Sequence, residues 1–435
     1  MPLKKLTKKQ LCFYHKPWIS KGLRKSIKRK HTLFRKSVKL GTSVAIAKYK
    51  QYSNMLTKLK TVAYKNFYSN KFNDVSADKG KTWRVINEIT QRKRKERKSI
   101  HCLRDKKGNK ITSPKDIANN FNAYFNSVGH SLASKIPSSQ YPPLHYIKTQ
   151  TPNSLFLNNT FLTEVTNIIN SLDCKKSPGS DRISNYIIKT TKDIIAPVLV
   201  GVYNECLNKG IFPEIFKIAK IIPLYKGDDA TKNSNYRPIS LLPQFGKIFE
   251  KIISKRLISF LDKYSLLNKH KFGFRKNFST ELAVANIQDK FLDNLDNNIH
   301  TCAIFLDLAK AFDTVDNNIL ISKLSRYGIR GTPLKLIESY LERRQHFVSI
   351  DEHCSELLEI DIGVPQGSVL GPLLFLIYIN DLPEATNLSV KLFADDTLLS
   401  MGNRELATLQ TAMNIELKKV HEWLIANKLT LNTDT

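Results

Sequence analysis

The sequence predicts an α+β protein that is preceded by a basic helical extension, and three observations support this. In the second half, amphipathic helical patterns alternate with short apolar runs of strand length. Two of these runs, 389–393 and 397–401, flank a tight turn, which predicts an antiparallel hairpin. In the first 100 residues, lysines fill one face of segments whose apolar residues recur at three- and four-residue steps.

The net charge of +31 is concentrated towards the N-terminus. Residues 1–100 contain 29 lysines and arginines against 4 acidic residues, a net charge of +25, which leaves +6 for the remainder. Such a block is typical of a nucleic-acid-binding surface or of a basic tail. A membrane-surface helix is less well supported, because the aromatic residues are not gathered on the face opposite the charge.

The composition also excludes several classes of protein. No apolar run approaches the ~20 residues that cross a bilayer, and the basic N-terminus lacks the apolar segment of a signal peptide. The six cysteines form no C-x-x-C pair, so neither a zinc site nor a disulfide framework is indicated. We expect reduced thiols in the cytosol or nucleus, and no membrane partner.

Apolar periodicity and turn residues predict the secondary structure. Residues 1–40 are expected to form short helices, and residues 134–156 a linker rich in Ser, Pro, Gln and Tyr. Thr163 is expected to N-cap the first helix after that linker. Further helices are predicted at 44–72, 184–194, 197–209, 245–262, 280–297, 334–344, 372–381 and 404–426, and strands at 218–226, 302–306, 346–350 and 357–361.

Asp395 and Asp396 occupy the turn of the predicted hairpin. Two carboxylates held so close together repel each other unless a cation lies between them. The pair is therefore either part of a divalent-metal site or a solvated turn, since aspartate is common in both.

Asp307 is the candidate for a third ligand. It follows the apolar run 302–306, which predicts a buried strand, and a carboxylate at the end of such a strand needs a partner for its charge. A strand end and a hairpin tip can meet at one edge of a sheet. Three aspartates there could hold two divalent ions about 3.5–4 Å apart, which would clamp the oxygens of a phosphoryl transfer.

Lys226 and Arg237 lie on either side of one hairpin-like connection. Two cations brought together in this way suit a polyphosphate, although ordinary surface charge gives the same pattern. The loop 363–372 contains three glycines, two prolines and Gln366, whose amide could hold a base or a sugar. Because this loop lacks the lysine-serine pair of a P-loop, we reject that assignment.

Several segments together resemble reverse transcriptases, most closely those of non-LTR retrotransposons of the jockey or CR1 type. The segments 305–313, 363–372 and 392–396 resemble motifs A, B and C of that family. Residues 177–181, 236–240 and 272–275 resemble its fingers segments, in the family's order, and residues 15–130 resemble less specifically its basic region. The motif C segment contains Phe-Ala-Asp-Asp, whereas viral RNA-copying polymerases more often have Gly-Asp-Asp.

The resemblance implies a right-hand polymerase with fingers and palm, in which an antiparallel palm sheet is backed by helices. It implies that Asp307, Asp395 and Asp396, assisted by the Leu308 carbonyl, hold two Mg²⁺ ions, with Mn²⁺ as an alternative. Further implied roles are a triphosphate grip by Lys226 and Arg237, a steric gate against a 2′-hydroxyl at Phe312, and a nucleotide or template contact at Gln366.

The implied partners are an RNA template, a DNA primer or target, and deoxynucleoside triphosphates. Target-primed copying in the family implies a nuclear as well as a cytoplasmic location. The candidate nucleic-acid contacts are Arg92, Lys93, Arg94, Lys95, Arg97, Lys98 and Arg275. The run from 92 to 98 is equally compatible with a nuclear-import signal or a solvated helix end.

Four regions are expected: a basic extension at 1–100, a helical extension and linker at 101–154, fingers at 155–300, and palm at 301–435. The chain is expected to lack endonuclease and thumb, to end near the start of motif D, and to be poorly processive. Two alternatives remain: a decayed copy that only binds nucleic acid, and a related palm polymerase of telomerase, group II intron or viral RNA-dependent type.

Overall fold

The computed structural model describes residues 16–75, 78–90, 100–105, 108–148, 150–269, 271–273 and 278–432. The chain divides into two compact units, Met1–Lys98 and Ser99–Thr435. The expected subdivisions at residues 154 and 300 stay predictions.

The first unit is helical where it is described. Its helices are α1 (Lys21–Leu40), α2 (Ser43–Asn73) and α3 (Lys79–Ile89). The Ser20 side chain accepts a hydrogen bond from the Leu23 N–H and so caps α1, which Gly41 ends in the left-handed conformation. The prediction of short helices is wrong over 21–40, because no proline lies between these two caps and the single glycine, Gly22, falls in the first turn.

The second unit mixes helices and strands, as the predicted α+β class requires. Its helices are α4 (Pro114–Ala133), α5 (Leu162–Asn170), α6 (Asn185–Thr190), α7 (Lys192–Lys209), α8 (Gln244–Lys263), α9 (Thr280–Asp296), α10 (Asn317–Arg326), α11 (Thr332–Leu341), α12 (Leu370–Tyr378) and α13 (Leu406–Ala426). Its strands are β1 (Leu103–Arg104), β2 (Lys110–Ile111), β3 (Ile218–Tyr225), β4 (Tyr236–Leu241), β5 (His300–Leu306), β6 (Arg344–Ile350), β7 (His353–Cys354), β8 (Leu358–Ile360), β9 (Ser389–Phe393) and β10 (Asp396–Asn403).

The strands form two larger sheets and the small β1–β2 pair. One sheet is antiparallel, with the order β5-β10-β9. The other has the order β4-β3-β6-β7, with β8 also paired to β6. It is mixed, because β3 and β6 run parallel while its other pairs are antiparallel.

Two apolar cores support these sheets. The larger one contains α12, every residue of which except Pro372 is buried, together with Trp423 of α13. The smaller one lies between α4 and the mixed sheet, where Phe121 packs against Tyr236. Tyr146 and Leu155, from the segment expected to be a linker, are buried in the larger core. No helix of the described chain has both the length and the apolar character needed to cross a membrane.

Two predicted helix starts were wrong. The residue that N-caps α5 is Phe161, so Thr163 lies inside the first turn of that helix. Helix α7 begins at Lys192 and continues through Pro197, which was expected to start it. Pro197 lies in the second turn of α7, where it removes one backbone hydrogen-bond donor without ending the helix.

The expectation that β5 is buried was also wrong. This strand is at the edge of its sheet, and Phe305 is 76% exposed. Cys302, Ile304 and Leu306 pack against the core, whereas the side chains between them face away from it. A continuous apolar run predicts a strand covered on both faces, but only one face of this strand is covered in the described chain.

Candidate active site

Three aspartates lie at neighbouring ends of two paired strands. In the β9–β10 hairpin Phe393 pairs with Asp396, which leaves Ala394 and Asp395 as a two-residue turn. Ala394 has a φ of 58°, the left-handed conformation that such a turn requires. On the other side of β10, Thr397 pairs with Leu306, so Asp396 and Asp307 both extend from the same end of this pair. The predicted meeting of strand end and hairpin tip is therefore observed.

These carboxyl groups lie close enough to influence one another's ionisation. Partial burial raises the pKa of Asp396, and the charges of Asp395 and Asp307 raise it further. Even so, the described residues contain no group of three or more His, Cys, Asp or Glu side chains that could hold a metal ion. The donor chemistry fits Mg²⁺, which prefers carboxylate and carbonyl oxygens, but the side chains are not drawn together into a ready ligand set.

The segment after α13 supports Asp307 directly. The Asn432 side-chain amide donates to Asp307 Oδ2 at 2.8 Å, and the Asn432 N–H donates to the Asp307 carbonyl at 2.8 Å. Leu431 forms an antiparallel bridge with Leu308. Because these contacts hold both the backbone and the side chain, the orientation of Asp307 depends on this segment.

A second segment supports the aspartate turn from the opposite strand of the sheet. Lys271 forms a parallel bridge with Leu392, whose carbonyl accepts a hydrogen bond from the Phe272 N–H at 2.8 Å. A Cβ on Gly273 would lie 2.3 Å from the backbone nitrogen of Ala394. Only glycine therefore fits where this segment meets the turn.

Lys226 and Arg237 lie close together, as predicted, on the hairpin of β3 and β4. Arg237 pairs with Leu224, and the Lys226 N–H donates to the Asn235 carbonyl at 2.9 Å. Since side chains alternate along a strand, Lys226 and Arg237 occupy diagonal positions on one face of the hairpin. Both are exposed.

Lys310 brings a third positive charge to this hairpin. Its backbone has a φ of 50°, and its ammonium donates to the Ser234 carbonyl at 3.3 Å. Burial lowers the pKa of Lys310, and the positive charges of Lys226 and Arg237 lower it further, while Asp313 opposes this. Three cations crowded in this way have the chemistry that attracts a polyanion.

Phe312 and Gln366 lie next to this cationic group. Phe312 is half-buried and stacks on Phe375, with 5.0 Å between the ring centroids. The Gln366 amide donates to both carboxylate oxygens of Asp313, each at 3.0 Å. Burial raises the pKa of Asp313 to about 6, although Lys310 and the Gln366 hydrogen bonds act in the opposite direction.

Comparison with known proteins agrees with this arrangement. The family model described as reverse transcriptase (RNA-dependent DNA polymerase) matches residues 226–434. Residues 226–434 therefore belong to the reverse transcriptase family. The resemblance predicted from motifs A, B and C is thereby confirmed.

Several curated relatives that this chain resembles are named as polymerases of mobile elements. The chain is 33% identical over 287 residues to the RNA-directed DNA polymerase from mobile element jockey of Drosophila melanogaster, which covers 64% of this chain and 31% of that protein. In the same organism it is 34% identical over 247 residues to the probable polymerase from transposon BS, covering 55% and 26%, and 31% identical over 247 residues to that from transposon X-element, covering 55% and 27%. The chain thus spans less than a third of the length of these relatives.

Four residues of the reverse transcriptase domain were missed at the sequence level: Gly273, Lys310, Asp313 and Asn432. Lys310 and Asp313 lie inside motif A, and their charge within an otherwise apolar turn was a usable signal. Gly273 and Asn432 act through contacts with residues distant in sequence, which no local pattern shows. The predicted contacts Arg92, Lys93, Arg94, Lys95, Arg97, Lys98 and Arg275 lie outside the described residues.

Proposed function

We propose that this chain carries the nucleotidyl-transfer part of an RNA-directed DNA polymerase of a non-LTR retrotransposon. The observation that supports this best is the placement of Asp307, Asp395 and Asp396 at adjacent ends of paired strands. In the proposed reaction the 3′-hydroxyl of a DNA primer attacks the α-phosphate of a deoxynucleoside triphosphate on an RNA template, and pyrophosphate leaves.

The three aspartates, with the Leu308 carbonyl, are the proposed ligands for two Mg²⁺ ions, or for Mn²⁺ in their place. When bound, such ions neutralise the charge that develops on the attacking and leaving oxygens. The protein's own contribution is to fix the carboxylates, and the contacts of Asn432 and Gly273 support that role.

Lys226 and Arg237 are the proposed grip on the triphosphate, joined by Lys310 from motif A. Their crowding supports this role, because the pKa of Lys310 is lowered by burial and by the other two cations. A bound triphosphate would relieve this repulsion and would be oriented for in-line attack.

Phe312 is the proposed steric gate, and Gln366 the proposed contact to the nucleotide or the template. The stacking of Phe312 on Phe375 supports a rigid surface beneath the sugar, which would leave no room for a 2′-hydroxyl. The basic first unit is proposed to bind the nucleic acid, in keeping with its net charge of +25 over residues 1–100.

The experiment is single-nucleotide addition by the full chain. A DNA primer on an RNA template is mixed with excess protein, Mg²⁺ and one nucleotide, so that each primer is extended by a single residue. We expect the matched deoxynucleotide to be added at least about tenfold faster than the matching ribonucleotide, a difference of roughly 1.4 kcal/mol in the barrier.

Two outcomes would contradict the proposal. Addition of ribonucleotides to an RNA primer, with none of deoxynucleotides to DNA, would indicate a polymerase of the viral RNA-copying type. Tight binding of the template and primer with no addition of either nucleotide would indicate a copy that only binds nucleic acid.

A further inference from the structure

Asp313 is a carboxyl group to which the proposed reaction assigns no role. It follows Phe312 in the turn after β5, where its N–H donates to the Lys310 carbonyl at 2.8 Å. Both of its carboxylate oxygens accept hydrogen bonds from the Gln366 amide nitrogen, at 3.0 Å each. The Asp313 side chain is half-buried, and a carboxyl that is withdrawn from water in this way needs hydrogen-bond partners.

The chemistry of this contact fixes the direction of the Gln366 amide. An ionised carboxylate only accepts hydrogen bonds, so the NH₂ group of the amide must face Asp313. The amide oxygen, Oε1, then points away from Asp313. Within the described chain no donor reaches that oxygen, although Gln366 is only half-buried.

The backbone around Gln366 is held as firmly as its amide. The Ser240 N–H of β4 donates to the Gln366 carbonyl at 2.8 Å. A Cβ on Gly367 would lie 2.6 Å from the Ser240 carbonyl oxygen, so the loop and β4 are in direct contact. The Val364 N–H donates to the Phe312 carbonyl at 2.8 Å, which joins the loop to the turn that carries Asp313.

We propose that Asp313 is a positioning residue that fixes the polarity of the Gln366 amide, so that the site offers a hydrogen-bond acceptor to the nucleotide. The ligand group selected there is a hydroxyl or amino hydrogen. This proposal rests on the proposed function, because it takes a nucleotide as the ligand beside Phe312. An apolar or acceptor group at the same place on the ligand would find no partner.

Two variants distinguish the effect of the direction of the Gln366 amide from the effect of the negative charge of Asp313. In Asp313→Asn the new side chain has a donor NH₂ group and an acceptor oxygen, so both directions of the Gln366 amide become available. In the double variant Asp313→Asn with Gln366→Glu, the asparagine donates to one glutamate oxygen and the other oxygen faces the ligand as an acceptor. The double variant keeps the net charge of the wild type.

The measurement is the affinity of the full chain for dGTP with Mg²⁺, on an RNA template whose DNA primer ends in a 3′-deoxynucleotide so that no bond forms. We expect Asp313→Asn to weaken binding about fivefold, the value of one neutral hydrogen bond, and the double variant to restore it to within about twofold. Asp289→Asn, an exposed change in the middle of α9, is the matched control and leaves the affinity unchanged.

The proposal is overturned if Asp313→Asn binds dGTP as the wild type does, or if the double variant binds no better than the single one. If the wild-type complex binds no dGTP, the proposed function fails, and the amide is then examined without ligand. In protein labelled with ¹⁵N-glutamine, slow proton exchange at the Gln366 amide that becomes fast in Asp313→Asn supports the proposal. Equal exchange rates in the two proteins overturn it.

Discussion

At the scale of single residues, Asn432 is the side chain that we expect to matter most after the aspartates themselves. Its amide is 2.8 Å from Asp307 Oδ2, so it limits which oxygen of that carboxylate remains for an ion. Hydrogen bonds to charged groups contribute roughly 1.5–3 kcal/mol. Without the hydrogen bond from Asn432, the Asp307 side chain should be free to turn away from the ion-binding position.

We therefore predict that Asn432→Ala raises the Mg²⁺ concentration at half-maximal single-nucleotide addition by about tenfold. The matched control is Asn318→Ala, an exposed asparagine in α10, which should leave the Mg²⁺ dependence unchanged. Superimposable Mg²⁺ curves for Asn432→Ala and the wild type would show that this contact does not orient Asp307.

The raised pKa of Asp313 should make the free energy of unfolding fall as the pH rises. This pKa is raised from 3.8 to about 6 by burial, so the folded protein binds this proton more tightly than the unfolded chain. The contribution of protonated Asp313 to the free energy of unfolding is therefore fully present below about pH 4, and it is lost as the pH rises through 6. The positive charges of Lys310 and Lys226 act against burial and lower the pKa of Asp313.

The predicted result is that the wild type loses on the order of 2 kcal/mol of unfolding free energy relative to Asp313→Asn between pH 4 and pH 7. Urea unfolding at a series of pH values measures this difference. The low pKa of His346, about 4 because of burial, affects both proteins equally and cancels. A difference that does not change with pH would mean that Asp313 is ionised at pH 4 in the folded protein.

At the scale of elements, the β9–β10 hairpin could be predicted from the sequence, whereas the residues that hold the three aspartates in place could not. Two apolar runs around Asp395 and Asp396 are a local signal, and so is the turn between them. The supports come from Gly273 and Asn432, which approach the site only after the chain has folded. Their types, glycine and asparagine, are common in turns and carry no information about such a partner.

The error on β5 has a similar cause. A run of five apolar residues does not reveal whether one or both faces of a strand are covered. The position of β5 at the edge of its sheet is decided by pairing with β10, a strand almost 100 residues later. Asp307 nevertheless directly follows the strand, as the sequence predicts, because its position depends on where the strand ends.

The contact between Gly273 and the aspartate turn can be tested with alanine. Because a Cβ at Gly273 would lie 2.3 Å from the Ala394 nitrogen, Gly273→Ala must displace the turn, and overpacking of this kind costs roughly 1–3 kcal/mol. Hydrogen exchange of peptides spanning β9 and β10 should become faster, and the unfolding free energy should fall by that amount.

The matched control for this change is Gly201→Ala. Gly201 lies within α7, and apart from the adjoining residues and backbone of its own helix, no described atom lies within 4 Å of the position that a Cβ would take. Alanine there should stabilise the helix by up to about 1 kcal/mol. If the two variants are equally stable and exchange equally, the segment 271–273 does not position the turn.

At the scale of the whole molecule, the uneven charge predicts how the chain binds nucleic acid. Lys21, Lys25, Lys28 and Lys39 are exposed and lie at helical spacing along one face of α1. Contacts of lysine with phosphate release bound counterions, so the affinity should fall steeply as the salt concentration rises.

Replacing these four lysines with alanine should weaken binding of the full chain to a duplex and should lower the slope of log affinity against log salt by as much as about 3.5. The control replaces Lys115, Lys135, Lys335 and Lys418, which are exposed in the second unit and should affect the slope less. Equal effects of the two sets would show that the first unit is not the main contact.

The proposed function requires Asp307, Asp395 and Asp396 to act as one nucleotidyl-transfer site. The most direct measurement is the single-turnover rate of deoxynucleotide addition by Asp395→Asn, with Asp289→Asn as the matched control. Because ion binding at such a site supplies several kcal/mol, we predict a loss of at least about 100-fold for Asp395→Asn and none for the control. An unchanged rate in Asp395→Asn, at a saturating concentration of nucleotide, would contradict the assignment of this site.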